Sequence, residues 1–282
     1  MTITIKFTDN IEHKHNSVKD ILQNKDKYHT ITYIDCNHKN LFSLPELPNS
    51  LKYLRCSNNG LSVLPELPNS LTHLWCYNNN LSSLPELPNT LIVLYCENNY
   101  LSNIPKLPNS LKYLWCNNNN ISNLPELPNL LISLRCIQNS LSSLPKLPNS
   151  LTHLKCSNNN LSSLPELPNS LLYLYCYNNN LSSLPELPNS LTDLMCFNNN
   201  LSSLPELPNS LRVMFYDNNP IYYYILEFFD NHINKYFEHQ YNMKRKFVNK
   251  IGNWYLDCKY NPKYLYCRKR LMKEYEELYN GV

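Results

Sequence analysis

Residues 51–70 read LKYLRCSNNGLSVLPELPNS, and residues 71–90 read LTHLWCYNNNLSSLPELPNT. Further copies of this 20-residue unit start at Leu91, Leu111, Leu131, Leu151, Leu171 and Leu191. A degenerate copy starts at Ile31, and a partial copy that starts at Leu211 ends near Asn219. A fixed period of this size predicts a solenoid, in which each unit packs on its two neighbours.

The repeats divide the chain of 282 residues into a central array and two end segments. We expect an N-terminal cap over residues 1–30, a solenoid of about nine repeats and a partial one over residues 31–219, and a helical, basic C-terminal cap over residues 220–282. Both ends need caps, because an open solenoid would expose core leucines and unpaired strand edges.

The first half of each unit alternates in polarity. Within residues 52–58, Leu54 and Cys56 are the apolar positions, which predicts a short strand with these two side chains directed inward. Successive copies should place their strands side by side in one parallel sheet, at a spacing of about 4.8 Å per repeat.

The second half of each unit is incompatible with a regular helix. Pro65 and Pro68 fix their own φ angles and disfavour the α conformation at the leucines that precede them. We therefore expect an extended segment close to polyproline II, with Leu61, Leu64 and Leu67 turned inward.

One asparagine column follows the predicted strands. It comprises Asn59, Asn79, Asn99, Asn119, Asn139, Asn159, Asn179, Asn199 and Asn219. An inward asparagine donates and accepts hydrogen bonds at once, so we expect a ladder that satisfies backbone groups of the turn in its own repeat and in the next one. Lys39 interrupts the column in the first copy.

Nine of the 11 cysteines occupy one position of successive repeats, and Cys258 and Cys267 lie in the C-terminal segment. The nine are Cys36, Cys56, Cys76, Cys96, Cys116, Cys136, Cys156, Cys176 and Cys196. An odd-numbered ladder at a core position is not typical of a disulfide framework, and it favours small apolar side chains in a reducing, cytoplasmic compartment. Zinc binding is a weaker alternative, because a straight ladder does not surround an ion. We expect no metal and no cofactor.

The pattern LxxLxCxxNxL followed by xxLPxLPxx resembles a leucine-rich repeat. Its short, proline-bearing half is similar to the class found in bacterial type III effectors such as the YopM and IpaH proteins. The resemblance implies a β-rich α/β solenoid with a parallel sheet on its concave face, an extended convex side and a small helical C-terminal cap. It also implies protein binding, without identifying a partner. Cysteine at the second strand position departs from that class, which usually has a larger aliphatic residue there.

The repeats differ mainly at outward strand positions, whereas LPELPNS is nearly constant. Two aromatic clusters are expected on the concave face, with Arg135 and Lys155 between them. The candidate partner-binding residues are Arg55, Trp75, Tyr77, Tyr95, Tyr113, Trp115, Arg135, Tyr173, Tyr175, Tyr177 and Phe197. The first cluster comprises Trp75, Tyr77, Tyr95, Tyr113 and Trp115, and the second comprises Tyr173, Tyr175, Tyr177, Met195 and Phe197.

Tryptophan, tyrosine and arginine dominate binding hot spots, so their presence at these positions favours binding of a protein partner. If the protein comes from a pathogen or a virus, we expect that partner to be a host protein. Cross-strand packing of aromatic rings on an exposed sheet is the structural alternative. Stacking on single-stranded nucleic acid is less favoured, because the array has no continuous basic stripe. The sequence also contains no apolar stretch long enough to span a membrane, and we expect a monomer.

Both end segments have readable patterns. At the N-terminus, Ile3, Ile5 and Phe7 alternate as in a strand, and Ser17 marks a predicted helix start. The first residues have no continuous apolar core, so no secretory signal is expected.

At the C-terminus, Asn219 and Pro220 match an N-cap and a first helical position. The apolar residues that follow have helical spacing as far as Phe237. We expect this first helix to cover the last repeat. A second predicted helix starts at Asn261 and Pro262.

Residues 240–273 contain ten Lys and Arg against one acid, Asp257, a net charge of +9. This charge fits a solvated helical face, and the alternatives are an acidic protein partner, nucleic acid or an anionic membrane surface.

The sequence does not indicate an enzyme. Some effectors with similar repeats carry a ubiquitin ligase domain with a catalytic cysteine two residues before an aspartate, and neither Cys258 nor Cys267 has that spacing. No phosphate-binding loop, metal-binding helix or nucleophile elbow occurs. A remaining hypothesis is an adaptor whose helical end recruits such a ligase.

Overall fold

The computed structural model describes residues 3–8, 12–15 and 28–229, together with residues 232, 233, 235, 236, 238 and 239. The chain divides into two compact units, Met1–Ile221 and Tyr222–Val282. The first unit contains the repeats and the candidate site.

Each repeat contributes one strand to a 12-stranded sheet. The strands are β1 (Ile3–Phe7), β2 (Glu12–His15), β3 (Ile31–Asp35), β4 (Tyr53–Arg55), β5 (His73–Trp75), β6 (Val93–Tyr95), β7 (Tyr113–Trp115), β8 (Ser133–Arg135), β9 (His153–Lys155), β10 (Tyr173–Tyr175), β11 (Asp193–Met195) and β12 (Val213–Phe215). From β3 to β12 the strands are parallel and follow chain order, so equivalent repeat positions lie side by side, as Leu54 does with Leu74. This is the solenoid that the 20-residue period predicts.

The strands are shorter than the sequence pattern suggested. We expected a strand over residues 52–58, but β4 spans only Tyr53–Arg55. Asn58 has a φ of 56°, in the left-handed region, and this conformation turns the chain out of the strand direction. Backbone hydrogen bonds between repeats nevertheless continue past the strand; for example, the Cys56 amide donates to the Trp75 carbonyl at 2.9 Å.

The interior of each coil is filled by the predicted residues. In the first complete repeat, Leu51, Leu54, Cys56 and Leu61 are each 0% exposed, and their counterparts in the central repeats are equally buried. Burying this much apolar surface in every layer stabilises the array, at roughly 25 cal/mol per Å² removed from water.

The proline-bearing half forms neither helix nor strand, as expected. Leu64 and Pro68 are buried, whereas Leu67 is only half-buried. Its counterparts Leu47, Leu107, Leu147 and Leu167 are buried, so the third inward leucine reaches the core in some repeats and only partly in others. The last residue of the unit has a structural role that the pattern did not reveal. The Ser70 hydroxyl donates to the Leu51 carbonyl of the preceding strand segment at 2.6 Å, and most repeats contain the same bond.

The expected asparagine ladder is present, with one correction. Asn79 accepts from the Leu61 amide and donates to the carbonyls of Cys56, Cys76 and Tyr77. It therefore joins its own repeat to the preceding one, not to the next one as predicted. The chain path explains the direction, because the turn after Asn79 runs beside the preceding coil, where the Asn80 amide donates to the Leu61 carbonyl at 2.8 Å.

A second amide ladder was not predicted. Asn78 and Asn118 donate to Asn58 and Asn98 one repeat earlier, at 2.7 and 2.5 Å. All members of this column have φ between 52° and 56°, a conformation that asparagine tolerates better than most residues. The recurrence of asparagine at two adjacent positions was the available signal.

The N-terminal edge of the parallel sheet is covered by β1, which pairs antiparallel with β3 and with β2. Ile3, Ile5 and Phe7 form its buried side, as the alternation indicates. The predicted helix from Ser17 lies outside the described residues.

At the other end, α1 (Pro220–Phe229) begins at the predicted first helical position. Asn219 serves as the last rung of the buried ladder, because its Oδ1 accepts from the Leu201 amide. Helical spacing was expected to continue to Phe237. The helix α1 ends at Phe229 and His232 is not helical, but residues 233, 235, 236, 238 and 239 are helical. The basic stretch 240–273, with Cys258, Cys267 and the second predicted helix, lies outside the described residues. Within the described part, no helix is long and apolar enough to cross a membrane.

Candidate protein-binding face

Three positions of each repeat present side chains on the outer side of the sheet. In the repeat that starts at Leu51 they are Tyr53, Arg55 and Ser57, which alternate with the inward Leu54 and Cys56; Ser57 is itself buried. We call this surface the sheet face, and the resemblance described above predicts that it is concave. Because the strands pair in register, each position forms a column of neighbours across the sheet.

The central column contains a continuous series of ring contacts. Trp75 and Tyr95 meet edge to face, with 6.3 Å between ring centroids. Tyr95 and Trp115 stack at 3.9 Å with an interplanar angle of 4°. The guanidinium carbon of Arg135 then lies 3.8 Å from the Trp115 ring centroid. Four successive repeats are therefore linked by direct contacts between rings and a cation.

The second half of the sheet face has three separate contacts. Lys155 Nζ lies 4.2 Å from the Tyr175 ring centroid. Two ring pairs stack in the columns on either side, His153 with Tyr173 at 4.6 Å and Tyr177 with Phe197 at 4.5 Å. The second predicted cluster is thus a set of pairs that lie close together on the sheet.

All eleven predicted binding residues lie on the sheet face, but the contacts group them differently. The first cluster centres on Trp75, Tyr95 and Trp115 and extends through the stacked rings of Tyr53 and His73. Tyr77 and Tyr113 lie in the adjacent columns. Tyr53 and His73 lie in the predicted outward column but were not among the candidate binding residues, and Lys155 was predicted between the clusters but not as a binding residue. The binding role of these residues stays a prediction.

The positive charges of the sheet face differ in their surroundings. Arg55 is paired with Asp35 at 3.4 Å. Arg135 and Lys155 occupy equivalent positions of neighbouring strands, and among the described residues neither has a carboxylate within ion-pair distance. Partial burial and the charge of Arg135 lower the pKa of Lys155. The pKa of His153 is also lowered, by burial first and then by Arg135 and Lys155.

Glu97 is the most perturbed carboxyl group of the sheet face. Desolvation raises its pKa to about 7, and the charge of Arg135 opposes this rise only in part. Within the described part of the chain its Oε2 atom is buried without a hydrogen-bond partner. A substantial fraction of Glu97 is therefore neutral at physiological pH, which leaves Arg135 without a full counter-charge.

The cysteine ladder provides no chemistry at this surface. The nine thiols of the repeats are free and buried. Burial raises the pKa of the Cys36 thiol to about 12, so the reactive thiolate is almost absent. In the described ranges no group of three potential ligands is arranged to hold a metal ion. The geometry of the sheet face suits binding through rings and cations.

Comparisons with known proteins agree with this architecture. A family model described as "Leucine Rich repeats (2 copies)" matches residues 49–89. No curated protein matches the sequence.

Among solved structures, the chain is similar to YopM, a leucine-rich effector protein from Yersinia pestis. The identity is 38%, the TM-score is 0.61, and the match covers 72% of this chain and 63% of that one. YopM from Yersinia enterocolitica WA-314 matches at 30% identity and a TM-score of 0.45, over 68% of this chain and 56% of that one. A Shigella effector leucine-rich-repeat domain matches at 30% identity and a TM-score of 0.44, over 66% of this chain and 75% of that one. The match thus spans less than two thirds of either YopM chain.

Proposed function

Because the chain is a leucine-rich-repeat protein with short, proline-bearing repeats similar to those of bacterial effectors, we propose that it is a non-catalytic scaffold that binds a protein partner on its sheet face. The likeness to an effector protein supports the further proposal that the partner belongs to a host cell. A leucine-rich-repeat fold alone does not name a partner, so the proposal depends on the properties of the surface.

The observation that carries the proposal is the stacked series from Trp75 through Tyr95 and Trp115 to Arg135. These side chains lie on the outer side of the sheet, and the strands beneath them are already held together by leucine and cysteine packing and by two amide ladders. Rings fixed by stacking lose little conformational entropy when a partner covers them. Large rigid aromatic surfaces of this kind are typical of binding hot spots.

Cross-strand packing explains part of the same contacts, because stacked rings also stabilise a sheet. It does not explain why the rings concentrate in the repeats from Tyr53 to Trp115 and again from Tyr173 to Phe197, while the coils beneath are nearly identical. A purely structural role would be served equally in every repeat. The uneven distribution therefore supports recognition.

The test is affinity capture from a eukaryotic cell extract, read by quantitative mass spectrometry, with three forms of the full chain. The first is the wild type, and the second carries Trp75→Ala, Trp115→Ala and Tyr175→Ala. The third is a matched control with Val63→Ala, Tyr100→Ala and Leu130→Ala, since these exposed apolar residues lie outside the sheet strands.

We expect the wild type and the control to enrich the same proteins, and the variant of the sheet face to lose them. Circular dichroism and urea unfolding establish that each variant is folded. If the folded variant of the sheet face retains the full set of captured proteins, the proposal is wrong.

A further inference from the structure

We propose that the middle of the sheet face is an anchor for an acidic, extended segment of the partner, in which Arg135 and Lys155 bind one or two carboxylates while Trp115 and Tyr175 contact flanking apolar side chains. This inference rests on the proposed function and adds to it the chemical class of the partner and the place where it is held.

The first observation is an uncompensated like-charge pair. Arg135 and Lys155 are direct cross-strand neighbours of β8 and β9, and like charges in this position destabilise a sheet. Among the described residues neither charge has an ion-pair partner, whereas Arg55, in the same column, is paired with Asp35. The pair is therefore a site where an incoming anion would relieve repulsion as well as form new bonds.

The second observation is that both cations are already positioned. The Arg135 guanidinium carbon lies 3.8 Å from the Trp115 ring centroid, and Lys155 Nζ lies 4.2 Å from the Tyr175 ring centroid. Each ring restricts its cation and shields it partly from water, which strengthens a charge-assisted hydrogen bond to a carboxylate. A guanidinium stacked on a ring retains the planar fork of donors that suits a carboxylate.

The third observation is the size of the anchor. Trp115, Arg135, Lys155 and Tyr175 occupy one column on four consecutive strands. Three strand spacings of about 4.8 Å give a length of roughly 14 Å, which an extended segment of about four to five residues spans. A segment with acidic residues in the middle and apolar residues on both sides matches this order of ring, cation, cation and ring.

The charges around the anchor favour a peptide over a nucleic acid. Glu97 and Asn117 lie in the neighbouring column on one side, and Asp193 lies two strands beyond Lys155 on the other. A phosphate backbone carries a charge at every nucleotide and would meet these carboxylates, whereas a peptide with a short acidic centre would not.

A random-peptide phage library provides the test. Selection on the wild type should enrich peptides with one or two Asp or Glu residues flanked by apolar residues. The most enriched peptide is then synthesised beside a version with Asn and Gln in place of Asp and Glu, and both are titrated by fluorescence anisotropy. An oligo-dT strand is titrated in parallel.

Two charge-matched variants separate the anchor from general electrostatics. Arg135→Gln with Lys155→Gln should weaken binding of the acidic peptide roughly tenfold or more, because both anchoring charges are lost. Lys106→Gln with Lys146→Gln removes the same net charge from the proline-bearing half, where both side chains are exposed, and should change the affinity by less than about threefold. The amide version of the peptide should bind weakly to every form.

Several outcomes would overturn the inference. One is the enrichment of peptides that lack acidic residues, and another is an equal loss of peptide affinity in the two double variants. The others are tighter binding of oligo-dT than of any peptide and the absence of any enriched peptide. None of these results would decide the proposed function, because capture with the aromatic variant tests that separately. Conversely, if the folded aromatic variant retains the full set of captured proteins while the wild type still binds the acidic peptide, the result refutes the proposed function and not the acidic-peptide site.

Discussion

Replacement of Asn119 by alanine tests the buried ladder that holds the coils in register. The Asn119 amide donates to the carbonyls of Cys96, Cys116 and Asn117 at 3.1, 3.2 and 3.1 Å, and its Oδ1 accepts from the Leu101 amide at 3.0 Å. Asn119 is 8% exposed, so after its replacement little water can reach the backbone groups that it leaves unpaired in the folded protein.

The expected loss of stability follows from these contacts. Leaving the buried Leu101 amide without its acceptor costs about 1–3 kcal/mol, and each lost bond to a backbone carbonyl contributes about 1 kcal/mol. The two N–H groups of one amide are shared among three carbonyls, so we expect a decrease of about 3–5 kcal/mol in the free energy of unfolding.

Urea unfolding followed by circular dichroism measures this change. The dependence of the unfolding free energy on urea concentration is compared between the two forms, because long arrays can lose cooperativity. Asn118→Gly is the matched control. Asn118 belongs to the exposed ladder and has a φ of 52°, which glycine adopts without strain, so we expect a change below about 1 kcal/mol. Equal destabilisation by the two substitutions would refute the assignment of the ladder as the element that joins the coils.

Three further perturbations have defined outcomes. Glu97→Gln should stabilise the protein by about 1–3 kcal/mol at pH 8 and hardly at pH 4, because a raised carboxyl pKa makes the folded state lose stability as pH rises from about 4.5 to about 7. Urea unfolding of both forms at the two pH values measures this effect. The same difference in unfolding free energy between wild type and variant at both pH values would contradict it. The thiols of the nine repeat cysteines should react with Ellman's reagent only on unfolding, and rapid labelling of the native array would contradict their burial. The hydroxyl introduced by Leu130→Ser should donate to the Leu111 carbonyl, as Ser110 donates to the Leu91 carbonyl one repeat earlier, and raise stability by about 0.5–1 kcal/mol in thermal unfolding; destabilisation would mean that Leu130 packs on its neighbours.

The fold was largely predictable because each inward residue recurs at a fixed interval. Leu51, Leu54, Cys56 and Leu61 recur in nearly every unit, and parallel stacking then follows from the register alone. Alternation did not reveal where the strand ends, because inter-repeat backbone bonds continue to Asn58, whose left-handed conformation leaves the strand direction. The direction of the buried ladder likewise depends on the path of the turn, which the order of residues does not reveal.

The sheet face was predictable in composition and only partly in its contacts. The outward columns identify Trp75, Tyr95 and Trp115 as neighbours, but the stacking of Arg135 on Trp115 depends on side-chain rotamers. The raised pKa of Glu97 was also hidden, because its burial depends on the side chains that surround it.

Hydroxyl-radical footprinting of the full chain, free and bound to a captured partner, tests the location of the binding surface most directly. We predict that Trp75, Tyr95, Trp115 and Tyr175 become protected from oxidation on binding, while Tyr100, exposed outside the sheet strands, is oxidised as fast as in the free protein. Protection of Tyr100 with unchanged oxidation of the four sheet-face rings would contradict it.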